Sequence, residues 1–226
     1  TEFTTFGLIY GDITFFVTQA GSIDTSGYLF KGTFGQPLID YDQKFVIVLT
    51  GDSPDNFEMV LNDGREQSQI SNKTSVSVFH GSIDAPTINI AEVSMPTGII
   101  FNNLDYKEST NYLSLDATDY VLQVQSINGT AVADFSVPLS FYQGKALFIV
   151  ATGYLDTTGV TPNNPFKLLA VQPNGSVNEL NPLIQNASPP RLQIIHNSAA
   201  EAAAEVDVWI TDNGGSTKLL SNFKYK

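Results

Sequence analysis

The 226-residue chain predicts an all-β fold of tandem antiparallel, Ig-like β-sandwich repeats, each about 116 residues long, and three observations predict it. The first is period-2 alternation. Tyr120, Leu122 and Val124 face one way with Gln123 and Gln125 the other; Val206, Val208 and Ile210 alternate with Asp207 and Trp209; Phe57, Met59 and Leu61 alternate with Glu58 and Val60. A strand places successive side chains on opposite faces, so such runs are half-buried antiparallel strands. The second is spacing: roughly eight runs, about a dozen residues apart, with Asn128-Gly129 and Asn174-Gly175 among the turn pairs between them, are the signature of a sandwich. The third is an internal repeat.

The repeat is read from both halves of the unit. VSVFHGSIDAPTINI from Val76 and LQIIHNSAAEAAAEVDVWI from Leu192 each carry an apolar alternating run, a His, a Ser two places on, and a second apolar run with one polar residue in its middle (Asn89, Asp207). His80 and His196 stand 116 residues apart. PLSFYQGKALFIVATG, ending at Thr152 and Gly153, matches PLIDYDQKFVIVLTG, ending at Thr50 and Gly51, and Phe166 to Gly175 mirrors Phe57 to Gly64. Residues 1–72 are therefore the last two-thirds of one unit, 73–189 a complete unit, and 190–226 the first third of another. Tyr10, Tyr106 and Tyr225 hold the same place in the three pieces.

Within this frame, Phe45 to Leu49 and Ala146 to Ala151 are apolar throughout, which predicts central strands covered on both faces. Ala199 to Glu205 uses strong helix formers over only about two turns, enough for a short loop helix. Gln185 to Arg191 (QNASPPR) and Ser68 to Ser75 (SQISNKTS) are polar and read as the joins between units.

Composition narrows the function. Eleven Lys and Arg against 23 Asp and Glu leave a net charge of −12, which repels phosphate backbones and argues against a nucleic-acid partner. The absence of cysteine excludes disulfides, thiolate metal sites and cysteine nucleophiles. No apolar run approaches the roughly 18 residues of a membrane span. The chain starts at Thr1 rather than Met, so the expectation is that a signal peptide or upstream region precedes it, as in an exported bacterial protein.

His80, Ser82, Asp84, Ala85 and Pro86, followed by Ile88-Asn89-Ile90, resemble the opening of a bacterial family catalogued as domain of unknown function 4397. Units of that family begin with a strand, a His-x-Ser-x-Asp-Ala-Pro turn and a Val-Asp-Val strand, and close on a strand ending in Thr-Gly. The resemblance covers the middle unit and parts of both flanking pieces. Asn89 stands where Asp is usual, and the third piece keeps His196, Ser198 and Asp207 with Ala-rich sequence in place of Asp-Ala-Pro. The resemblance implies an exported, surface-attached tandem β-sandwich and brings no catalytic residues.

Candidate chemistry is sparse. Each unit supplies one His, and a His that ends a strand beside a Ser and an Asp-Pro turn caps that turn through a ring N–H, so His80, Ser82, Asp84, Pro86, His196 and Ser198 are read as structural. Neither Ser sits in a G-x-S-x-G elbow, which argues against a hydrolase. Asp116 with Asp119, Asp40 with Asp42, and Asp212-Asn213-Gly214 offer oxygen ligands for calcium without the regular spacing of a calcium loop, so no cofactor or metal is assigned. Trp209, the single Trp, lies on the polar phase of its strand beside Asp207; this pair is the candidate binding site, for a surface polysaccharide or a protein contact.

These readings converge on a non-enzymatic extracellular or cell-surface protein with a structural or adhesive role; the alternative is a carbohydrate-binding module. Residues 190–226 carry strongly amphipathic strands and are too few to make a core of their own, which takes about 40 residues. They match the third that residues 1–72 lack. The two pieces are expected to complete one sandwich, either head to tail between copies, building a filament, or as parts of a longer covalent array.

Overall fold

A computed structural model describes residues 11–35, 44–95, 98–160, 164–183, 194–196, 200–212 and 215–224. Thr1–Gln185 and Asn186–Lys226 form two compact units. Beyond a few short 3-10 turns, the described residues fold into strands alone.

In the first unit the chain opens with two hairpins. Strand β1 (Ile13–Thr18) pairs with β2 (Tyr28–Phe34), and β3 (Phe45–Thr50) pairs with β4 (Glu58–Asp63), both antiparallel. Each hairpin is a two-stranded sheet of its own. Ile13, Phe15 and Val17 are half-buried while Thr14 and Phe16 are exposed, the alternation of a strand with one inward face. The hairpins meet where Gly32 of β2 lies over the Met59 side chain; a Cβ there would sit 3.2 Å from the Met59 sulfur.

The remainder of this unit is a sandwich of two five-stranded sheets. Its strands are β5 (Lys73–His80), β6 (Ile88–Glu92), β7 (Gly98–Leu104), β8 (Leu113–Asp116), β9 (Asp119–Ser126), β10 (Ala131–Pro138), β11 (Ala146–Thr152), β12 (Lys167–Val171), β13 (Val177–Glu179) and β14 (Asn181–Leu183). One sheet runs β14-β10-β9-β6-β7 and the other β13-β12-β11-β5-β8. The sequence predicts about eight antiparallel runs, and the sandwich has ten strands with one parallel pair, β5 beside β11. The parallel pair arises because β5 and β11 are joined not by a hairpin but through five intervening strands, of which β8 alone lies in the same sheet, and only a hairpin forces neighbours to run opposite ways. The last run switches sheets across the buried Leu180, which divides it into β13 and β14, with Pro182 on an edge strand that can spare its N–H.

The core lies between these sheets. Val76, Val78, Ile88, Ile90, Leu122, Val124, Phe135, Val137, Leu147, Ile149 and Leu168 are all buried and packed in one cluster. β5 and β6 are buried almost throughout, including the polar Ser75, Ser77, Asn89 and Glu92. Asn128-Gly129 and Asn174-Gly175 make the predicted turns, with both glycines at positive φ.

Among the described residues of the second unit, β15 (Glu205–Asp212) pairs with β16 (Gly215–Lys224) in a hairpin, preceded by a short 3-10 helix at Glu201–Ala203 where the Ala-rich segment predicts a loop helix. Ile194–His196 carries no strand.

Two strands of like sequence differ. β11, flanked by β12 and β5, is buried over most of its length, as its unbroken apolar run predicts. β3 has the same kind of run but is half-exposed, with Leu49 43% exposed, because among the described residues it has β4 on one edge and no strand on the other.

Candidate functional site

The His-x-Ser-x-Asp-Ala-Pro turn is a knot of hydrogen bonds that ties the end of β5 to the loop after β11. His80 is fully buried. One ring nitrogen, Nε2, lies 3.0 Å from the Pro86 carbonyl, and the other, Nδ1, accepts from the Ser82 N–H at 3.4 Å. That pattern assigns the proton to Nε2, which then donates to the carbonyl. Ser82 Oγ donates to the Gly153 carbonyl at 2.7 Å, and the Asp84 carboxylate accepts from the N–H groups of Leu155 and Asp156 at 3.0 and 2.8 Å. The His80 and Ser82 side chains therefore engage backbone carbonyls within the domain, and Asp84 engages two N–H groups of the exposed loop after β11. Burial pushes the His80 imidazole below its ordinary range, against the pull of the Pro86 carbonyl and the charge of Asp105, so the ring is held neutral.

The Thr-Gly that closes the unit has an equally specific local cause. At Gly153, φ is +86° and a Cβ would fall 2.3 Å from the Pro165 carbonyl oxygen, so a side chain has no place there. Gly51, at the end of β3, repeats the arrangement: φ is +108° and the Asn56 carbonyl oxygen would be 2.4 Å away. Thr50 opposes Glu58 just as Thr152 opposes Lys167. The β3–β4 hairpin thus carries the backbone geometry of β11–β12.

The hairpin of the second unit carries that of β6–β7. Asn89 Oδ1 accepts from the Asn103 N–H at 2.9 Å, and Asp207 Oδ1 accepts from the Asn222 N–H at 3.0 Å. Asn103 and Asn222 both adopt left-handed backbone, with φ of 50° and 53°. His196 Nε2 lies 2.6 Å from the Ala203 carbonyl, the contact that His80 makes with Pro86. A ring also packs beside each His, Tyr106 at 6.1 Å from His80 and Phe223 at 5.7 Å from His196.

Contacts among the described residues join the first hairpins to the sandwich. The Thr50 and Tyr106 hydroxyls are 2.9 Å apart, and Lys107 pairs with Glu58. Both lie at the pole where the His80 turn sits.

The remaining candidates fall as follows. Trp209 is 56% exposed, and the Lys218 ammonium stands 4.9 Å from its ring centroid. Asp207 beside it accepts from Lys218 Nζ at 2.6 Å as well as from Asn222; these bonds hold its carboxyl below the usual carboxylate range. Asp116 pairs with Lys73 and Asp119 accepts from Ser140 Oγ, so the two carboxylates are turned to different partners. No group of three or more metal-ligating side chains occurs among the described residues. Ser198, Asp40, Asp42, Tyr10 and Tyr225 lie outside the described residues, and nothing is described of the Asp212 side chain.

Sequence reasoning expects residues 1–72 to lack the first third of a unit, but it does not locate the strand edges at which that third would stand. Among the described residues, β1 has no strand on its outer side where β6 lies beside β9, and β3 has none where β5 lies beside β11. The signal was present in the unbroken apolar run Phe45 to Leu49, which suits a strand with neighbours on both sides.

Residues 74–170 match the family described as Domain of unknown function (DUF4397). Residues 74–170 are thus a domain of that family. The matched span runs from β5 into β12 and takes in the whole His80 turn and the Thr152-Gly153 close, so the hydrogen-bonded knot lies inside the DUF4397 domain. No curated protein and no solved structure matches the chain. No helix among the described residues is long and apolar enough to cross a membrane.

Proposed function

We propose that this is a non-enzymatic, extracellular structural repeat protein whose chains join head to tail, residues 194–196 and the β15–β16 hairpin supplying to residues 11–63 the strands that β5, β6 and β7 supply to the DUF4397 domain. One observation carries the reading. The head has the second-half geometry of the unit, with its Gly51 close, and the tail has the first-half geometry, with its Asp207–Asn222 and His196–Ala203 bonds. Each half leaves apolar side chains in water: Leu49 in the head, Ile195 and Ile210 in the tail. Burying one such side chain is worth about 1.5–3 kcal/mol, so joining the halves is strongly favourable. The contact is heterologous and does not close on itself, and repetition builds a linear polymer.

The His80 turn fits a structural role, since its polar atoms are spent on backbone partners within the domain. For the carbohydrate-binding alternative, Trp209 would need a free ring face, and Lys218 stands over one of its two.

Sedimentation and negative-stain imaging of residues 1–226 test the assembly reading. Linear polymers that grow with concentration and are lost when residues 186–226 are removed are expected, whereas a monomer at all concentrations overturns it. The denatured mass of the secreted polypeptide separates polymers of short chains from a longer covalent array.

A further inference from the structure

Resting on that assembly reading, we propose where and in which direction the tail of a second copy sits: Ile194–His196 lies parallel to β3 on its open edge, while β15 lies antiparallel to β1 on the open edge of the other sheet. The two incoming segments become inner strands of the completed sandwich.

The register on β3 follows from the shared close of the two hairpins. Thr50-Gly51 corresponds to Thr152-Gly153, so Leu49, Val48 and Ile47 correspond to Ala151, Val150 and Ile149. In the DUF4397 domain those three residues pair, in parallel, with His80, Phe79 and Val78. His196 corresponds to His80 through its ring contact to a carbonyl, so Ile195 and Ile194 correspond to Phe79 and Val78. His196 is thereby set beside Leu49, Ile195 beside Val48, and Ile194 beside Ile47. Ile195 is 75% exposed in the isolated chain, whereas Phe79, at its place, is fully buried.

The second seat follows in the same way. Asp207 corresponds to Asn89 through the bond to a left-handed Asn, so Val206 and Val208 correspond to the buried Ile88 and Ile90. β6 carries those residues on β9, where Ile90 opposes Val124. β1 pairs with β2 as β9 pairs with β10, and its inward Ile13, Phe15 and Val17 await a strand whose apolar residues share one face. Val206 and Val208 provide that face. The occupant is a second copy of this chain because the tail is the segment that carries the bond pattern of β6 and β7 outside the DUF4397 domain. Strand addition at an edge also satisfies the backbone groups that edge leaves open.

Disulfide trapping tests the seat, since the chain has no cysteine and each introduced thiol is unique. Two preparations, one carrying Val48→Cys and the other Ile195→Cys, are mixed and oxidised. A cross-linked heterodimer is expected; Val48→Cys mixed with Ile194→Cys, whose side chain faces the other way, is expected to give at least tenfold less. As a second arm without a cross-link, Val208→Asp in the tail is expected to abolish polymers, while Trp209→Asp, on the outer face, is expected to keep them. Polymers of the unsubstituted chain that show neither the Val48–Ile195 cross-link nor sensitivity to Val208→Asp overturn the seat and leave assembly standing. Cross-linking within a doubly substituted chain but not between the mixed single variants overturns the second copy as occupant. Absence of polymers from the unsubstituted chain overturns the assembly reading itself.

Discussion

β11 and β3 are nearly the same strand in sequence, each an unbroken apolar run closed by Thr-Gly at a tight backbone approach, and they differ in burial because of what stands beside them. β11 lies between β12 and β5 and is largely buried; β3 has β4 alone among the described residues and is half-exposed. The same holds for β9, which has β6 beside it, and β1, which does not. A strand's apolar pattern therefore records the neighbours of a finished sheet. Where the pattern and the burial disagree, as at Leu49, the strand has a neighbour on one edge only among the described residues.

The comparison can be broken most sharply by cutting the same cavity in both places. Leu122→Ala in β9 removes a fully buried side chain and should destabilise the DUF4397 domain by about 2–5 kcal/mol, read by denaturant unfolding. Phe15→Ala in β1 should cost under about 1 kcal/mol in a chain lacking residues 186–226, where its site is only half-buried, and several times more in polymers. Equal costs in the truncated chain would mean that the head is already complete.

The glycines give a smaller effect. Gly153→Ala forces a side chain onto the Pro165 carbonyl at positive φ and should cost about 1–3 kcal/mol of domain stability. Gly51→Ala carries the same local strain in the head, so in the truncated chain its cost should leave the main unfolding midpoint unmoved.

Removing one bond from the knot should cost less again. Ser82→Ala leaves the Gly153 carbonyl without its donor and should cost about 1–2 kcal/mol, and His80→Gln should cost a similar amount through the lost bond to Pro86, both by thermal or denaturant unfolding. His80 adds a pH signature. Its folded value lies below its ordinary 6.5, so its contribution is present above that pH. As pH falls through and below 6.5 the unfolded chain takes up a proton that the buried ring resists, and stability declines. The decline between neutral pH and the folded value should be shallower in His80→Gln.

The smallest expected effect lies at the alkaline end. Burial pushes the Tyr112 hydroxyl up to about 12, where the Arg65 guanidinium also stacks on its ring at 4.8 Å. A raised value means the contribution is complete below the ordinary 10 and is lost as pH rises from there toward 12, where the unfolded chain ionises first. Tyr112→Phe should remove that part of the alkaline decline in unfolding titrations.

Much of this was legible in the sequence, for reasons particular residues make clear. The alternation in Tyr120, Leu122 and Val124 reports a one-sided sheet, and Asn128-Gly129 and Asn174-Gly175 report the turns, because both signals are local. The His80 turn was read as structural from residue types alone, but its reach to Gly153, Leu155 and Asp156 joins positions some 70 residues apart, which no local pattern encodes. The parallel seat of β5 beside β11 and the sheet switch at Leu180 are likewise set by packing across the sandwich. The repeat leads to the expectation that residues 1–72 lack a third of a unit, but which edges of β1 and β3 carry no strand among the described residues depends on pairing between distant strands, which no local pattern encodes.

Hydrogen exchange of the backbone amides in β1 and β3 tests the central claim most directly. The account predicts that Ile13–Thr18 and Phe45–Thr50 of the full chain at high concentration exchange as slowly as Asp119–Ser126 and Ala146–Thr152, and that they alone lose protection by at least tenfold when residues 186–226 are removed. Equal protection of β1 and β3 with and without the tail would contradict it.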